Sequence, residues 1–63
     1  MADYYFVRGI VEAQNDLTLA LNDFTTAIEM LQIPAYYKER SKCMYQLGMY
    51  NLAIEDLLKL LTI

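Results

Sequence analysis

A near-repeat with a spacing of 32 to 33 residues runs through this chain of 63. Tyr4-Tyr5 with Arg8 recurs as Tyr36-Tyr37 with Arg40, and Gln14 recurs as Gln46, each 32 residues on. Ala20-Leu21-x-Asp23-Phe24 recurs as Ala53-Ile54-x-Asp56-Leu57 at an offset of 33. Repetition at this period marks stacked supersecondary units, each too small to bury its apolar face alone.

The units are helical, because apolar residues recur at three- and four-residue steps and no segment alternates strictly. A first helix is expected over about residues 4–14, with Asp3 as its N-cap and Tyr5, Val7, Ile10, Val11 and Ala13 on a broad apolar face. Asn15-Asp16 is a turn signal, and Asp16 can cap a second helix over about 17–32. Leu17, Ala20, Leu21, Phe24, Ala27, Ile28 and Leu31 give that helix the clearest amphipathic stripe in the chain. Proline pushes its predecessor into extended geometry and suits a helix's first turn, so Ile33-Pro34 separates the second helix from a third. Gly48 can end that third helix, over about 34–47, in a left-handed stop. A fourth helix over about 50–62 carries Tyr50, Ala53, Ile54, Leu57, Leu60 and Leu61. The connections at Asn15-Asp16 and Gly48-Met49 are short enough to make neighbouring helices antiparallel. The expected fold class is all-α: two helix-turn-helix hairpins, four antiparallel helices in all, stacked as a short α-solenoid. Residues 1–63 form one domain, with hairpins at 3–33 and 34–63.

These motifs resemble the tetratricopeptide repeat, whose 34-residue unit carries an A-x3-F-x2-A segment in its second helix. Ala20-x3-Phe24-x2-Ala27 meets that segment in full, and Ala53-x3-Leu57-x2-Leu60 meets it with larger residues in two places. Tyr5-x2-Arg8-Gly9 and Tyr37-x2-Arg40-Ser41 are similar to the first-helix segment, with arginine where leucine is usual. Small residues at Gly9, Ser41, Ala20 and Ala53 let paired helices approach while the aromatic fills the space beside them. The chain departs from the family in three ways. Glu12 stands at a tyrosine position, the first hairpin is one residue shorter than the second between Gly9 and Ala20, and Pro34 comes late.

The resemblance implies a concave groove lined by the first helix of each repeat, which takes an extended peptide or a partner's helix. Carried onto this chain, its residues are Phe6, Ile10 and Ala13 from the first helix and Lys38, Lys42, Tyr45 and Gln46 from the third. Lys38, Lys42 and Tyr45 share a helix face by spacing alone. An apolar strip beside two ammonium groups suits a ligand with a hydrophobic anchor and a carboxylate. The plainer alternative makes Phe6 and Ile10 core and both lysines merely solvated. Phe6 and Ile10 stand where chaperone-binding members place a lysine and an asparagine, so that terminal-carboxylate clamp is not expected. Asp23 and Asp56, at matching places on the second and fourth helices, are expected to face solvent, in a solvated or helix-pairing role. Arg8 and Arg40 are expected to pair with carboxylates across each hairpin, and Cys43 to be buried.

Several function classes fall away on composition. The chain has one cysteine and no histidine, so neither an intrachain disulfide nor a usual zinc site can form. No nucleophile–base pair or phosphate-binding loop is present, so the expectation is no enzyme and no cofactor. Net charge is −3, which does not suit a nucleic-acid backbone. The charge is also uneven. Asp3, Glu12, Asp16, Asp23 and Glu29 against Arg8 leave residues 1–33 at −4, while residues 34–63 stand at +1. No apolar run approaches the roughly 18 residues that span a bilayer, Lys59 is the last helix's only cation, and no signal-like segment is seen, so no membrane role and a cytoplasmic location are expected.

The apolar fraction of 57% is high for so short a chain, which exposes proportionately more surface than a larger domain. The fourth helix carries apolar residues on more than one face: Leu52, Ile54, Leu57, Leu58, Leu60, Leu61 and Ile63. Its antiparallel partner can cover one face only. Ile54, Leu57, Leu58 and Leu61 are therefore a candidate self-association face, covered by a second copy in a dimer or swapped dimer, or by further repeats. Two functions compete: a module that binds a partner protein or peptide in the groove, and a self-assembling structural unit.

Overall fold

A computed structural model describes residues 1–62 of the chain. It contains four helices and, among the described residues, no strand: α1 Ala2–Glu12, α2 Leu17–Met30, α3 Pro34–Gln46 and α4 Tyr50–Lys59. α1 pairs with α2, α3 pairs with α4, and α2 packs on α3. The result is two helical hairpins stacked in a slab of 27 × 27 × 13 Å.

Local chemistry sets the three turns. Asp16 is extended, and its carboxylate accepts the Leu19 N–H at 3.1 Å, closing the start of α2. Ile33 is extended at φ −107° and ψ 133°, and Pro34 is the first residue of α3. At the other end of α3, Gly48 adopts φ 83°. Its N–H reaches the Tyr45 carbonyl at 3.0 Å and the Met49 N–H reaches Met44 at 2.8 Å, a Schellman closure that only a residue tolerant of positive φ makes without strain.

The helix ends differ from expectation in four places, one being the end of α1 at Glu12 rather than near residue 14. Asp3 is not a cap. Ala2 is buried against Ala27, Tyr36 and Tyr37, which holds residue 2 in the helix and moves the cap position back to Met1. α2 stops at Met30 rather than near residue 32, because Leu31 is already extended on the approach to Pro34. α4 stops at Lys59, beyond which the N–H groups of Leu60, Leu61 and Thr62 bond three residues back in a tighter turn. Ile63, expected on the apolar last helix, lies outside the described residues.

Phe6 joins the two parts of the core. Its ring stacks on Tyr36 with centroids 4.5 Å apart and meets Phe24 at 5.9 Å. Around it, Ala27, Ile28, Tyr36 and Tyr37 form one buried cluster and Ala20, Phe24 and Cys43 the other. Val7 and Val11, placed by sequence on the apolar face of α1, are exposed. α1 seats through Phe6 and Gly9 instead, and the two valines fall on the opposite side.

Gly9 sets the closeness of the first hairpin. A Cβ there would lie 2.6 Å from Phe24 Cε1, and the buried Phe24 ring has no room to swing out. Gly9→Ala is expected to lower stability by about 1–2 kcal/mol, overpacking outweighing the better helix propensity of alanine. In a double-mutant cycle read by urea unfolding, Phe24→Leu removes most of that loss. An additive pair would show that the contact is not the cause.

Candidate functional site

Each hairpin is held by the same ionic fork. Arg8 donates from Nε and Nη2 to Asp23 at 2.9 and 2.7 Å, and Arg40 donates from the same atoms to Asp56 at 2.6 and 2.8 Å. The guanidinium of Arg8 lies over Tyr5 and that of Arg40 over Tyr37, at 5.4 and 5.6 Å from the ring centroids. The repeated Tyr-x2-Arg and the aspartate of the next helix are thus one unit, and the pairing of Arg8 and Arg40 across each hairpin is as expected. The expectation that both aspartates face solvent is overturned: Asp23 is fully buried and Asp56 nearly so. Small residues on both helices bring the backbones close enough to enclose them. The Asp56 hydrogen bond, more than the desolvation that opposes it, raises the affinity of the Arg40 guanidinium for its proton. Arg40 also donates to Thr25 Oγ1 at 3.3 Å, tying α3 to α2.

A buried carboxylate that loses its cation is left uncompensated. Arg40→Leu is therefore expected to cost about 3–5 kcal/mol, against a total of roughly 3–9 kcal/mol for a domain of this size. Urea unfolding followed by circular dichroism should find that variant's midpoint sharply lowered and the Arg40→Leu/Asp56→Leu double variant's midpoint restored toward that of the parent. A single variant as stable as the parent would deny the fork its structural role.

With the fork holding the second hairpin, α3 and α4 leave an open groove of about 650 Å³ on their outer side. Its floor is Ser41 and Ala53, both buried, and small enough to give the groove depth. Lys38, Lys42, Tyr45 and Gln46 form the α3 wall; Tyr50, Ile54 and Leu57 form the α4 wall. The Tyr45 and Tyr50 rings meet at 5.4 Å. The volume falls within the range of ligand-sized sites, and the lining is mostly apolar with two ammonium groups on one rim. A smaller cleft of about 210 Å³ lies between α1 and α3, edged by Ile10, Ala13, Lys42 and Gln46 with Phe24 beneath.

The predicted groove residues are divided between these two hollows. Ile10 and Ala13 border the smaller, Lys38 and Tyr45 the larger, and Lys42 and Gln46 both. Phe6 borders neither and is packed into the core. Of the candidate self-association face, Ile54 and Leu57 line the larger groove. Leu58 and Leu61 are exposed on α4 and just beyond it, with Leu61 one turn on from Leu57. A lysine-rimmed ligand face and half of the assembly face, expected to be separate, thus meet as opposite walls of one groove. Tyr50 joins them; its spacing of four from Ile54 and seven from Leu57 was the signal for it.

Cys43 is buried, and its Sγ donates to the Leu17 carbonyl at 3.1 Å. Burial pushes the thiol's pKa up, away from the thiolate that a nucleophile needs. Since the folded value lies above the unfolded one, the thiol's contribution to stability is complete below the unfolded pKa of about 8.5 and fades as pH rises through the folded value. Alkylation by iodoacetamide at pH 8 is expected to proceed only as fast as the hairpins open, at least about 100-fold slower than in urea, and a rate equal to that of the unfolded chain would contradict the burial.

Among the described residues no cluster of His, Cys, Asp and Glu is suited to a metal ion, and no helix is long and apolar enough to cross a membrane. Compared with family models, curated proteins and solved structures, the chain matches none.

Proposed function

We propose that this chain is a tetratricopeptide-type interaction module that receives an amphipathic helix of a protein partner in the groove between α3 and α4. The observation that carries this reading is an internal one. Residues lining the groove on α3 fall 32 positions after Phe6, Ile10 and Ala13, and those on α4 fall 33 after Leu17, Leu21 and Phe24. In the first hairpin those earlier positions form the cradle in which α3 is seated. The second hairpin presents the same cradle with no helix in it. Phe24 is 1% exposed beneath α3, while Leu57 at the matching position is 47% exposed. The ammonium groups of Lys38 and Lys42 favour a helix with acidic residues beside its apolar stripe. A lone buried cysteine supports a reducing, cytoplasmic setting.

A synthetic helical peptide with Tyr and Val at i, i+3 and i+7, flanked by glutamates, tests the reading. Titrated into labelled protein, it is expected to shift the amide resonances of Lys38, Lys42, Tyr45, Ile54 and Leu57 together. Ile54→Glu is expected to weaken binding about tenfold or more, the equivalent of about 1.4 kcal/mol. Shifts confined to Ile10 and Ala13 would move the site to the smaller cleft, and no saturable shift would overturn the proposal.

A further inference from the structure

The helix that fits the empty cradle is present in the chain itself. We propose that α1 of a second copy occupies the α3–α4 groove, so that copies stack head to tail; this rests on the groove being a helix-binding site.

Three observations identify α1 as the occupant. The first is register. α3 meets the first hairpin through Tyr36, stacked on Phe6, and through Glu39 and Cys43, which edge the cleft over Phe24. Thirty-two residues earlier these positions are Tyr4, Val7 and Val11 on α1. The second is that this stripe is uncovered. Tyr4, Val7 and Val11 are 55–57% exposed, spaced i, i+3 and i+7, on the side of α1 away from Gly9. The stripe is at least as apolar as the one α3 uses, since Val7 stands where α3 has Glu39.

Charge supplies the third. The half of the chain containing α1 carries −4 and the half containing the groove +1. Arg8 lies over one face of the Tyr4 ring at 5.3 Å; in the docked arrangement Lys38, which stands where Phe6 stacks on Tyr36, meets the other face, and a cation–π contact replaces the aromatic stack. Asp3, exposed and 3.1 Å from the N-terminal ammonium, precedes that tyrosine and adds an acidic group next to the stripe.

Such an interface is heterologous: the groove of one copy takes the stripe of the next, and each addition leaves a free groove and a free stripe. Association therefore grows with concentration beyond two copies. A symmetric pairing of two α4 faces would stop at a dimer instead.

Sedimentation velocity on the full chain and two variants decides the matter. Wild type is expected to pass through dimer to larger species as concentration rises. Val7→Glu, altering the exposed stripe, and Ile54→Glu, altering the exposed groove wall, are each expected to fold by circular dichroism and sediment as monomers. Mixed, they retain one good stripe and one good groove between them and are expected to form a 1:1 complex that grows no further. Val11→Glu replaces Val7→Glu if that variant does not fold. Stripe variants that associate as wild type does, a wild type that stops at a dimer, or a mixture that stays monomeric would each overturn the proposal. The Val7→Glu monomer keeps its groove open, so titrating it with the acidic helical peptide separates the two readings. Peptide binding alongside a monomeric wild type removes the second copy as occupant and leaves the interaction module standing; failure of both removes both.

Discussion

The bidentate contact between an arginine on the first helix of each hairpin and a buried aspartate on the second sets the form of the rest. Arg8–Asp23 and Arg40–Asp56 use the same atoms in the same order. A planar fork matched to a planar carboxylate tolerates little sliding or rotation of one helix on the other. Because the aspartates are enclosed, losing the contact leaves an unpaired, desolvated charge as well as removing the hydrogen bonds themselves. The two hairpins are therefore held to one geometry although their apolar residues differ.

Equal geometry has an unequal consequence. Each hairpin presents a cradle between its two helices, floored by small residues; the walls of the first are apolar, whereas the second has one apolar wall and one that carries Lys38 and Lys42. The first is occupied by α3, beneath which Phe24 and Ala20 are buried. The second is walled by Tyr50, Ile54 and Leu57 and lies open. Stacked repeats gain their stability from neighbours, and an uncapped last repeat leaves apolar surface exposed. At roughly 25 cal/mol per Å² of apolar area removed from water, filling a groove of this kind is a substantial gain for so small a domain. The same physics that seats α3 favours covering the apolar wall of the outer groove.

Much of the fold was legible in the sequence. Asp16, Pro34 and Gly48 mark their turns through backbone requirements that act within a few residues, and the structure follows them. The Tyr-x2-Arg and aspartate repeats were visible too, as was the partnering of the two arginines. Less legible was where charge and apolarity would end up. An aspartate on a helix reads as solvated until the arginine that neutralises it and the glycine or alanine that admits it are placed beside it. Val7 and Val11 read as core by hydropathy, yet only one side of α1 meets a neighbour. Asp3 read as a cap, and burial of Ala2 against α2 and α3 moved the helix start past it.

The candidate site divides along the same line. Lys38, Lys42 and Tyr45 were placed on one face by helical spacing, and Ile54 and Leu57 on another helix by theirs. Nothing in either stripe says that the two faces converge on one groove, because that depends on the angle at which α3 and α4 pack and on the small residues between them. By itself the sequence determined the helices, their turns and the repeat, since these follow from interactions spanning a few residues and from a periodicity written along the chain. The tertiary structure alone decided which aspartates are buried, which valines are exposed and which two stripes become the walls of one site, because each depends on what residues distant in the chain bring alongside.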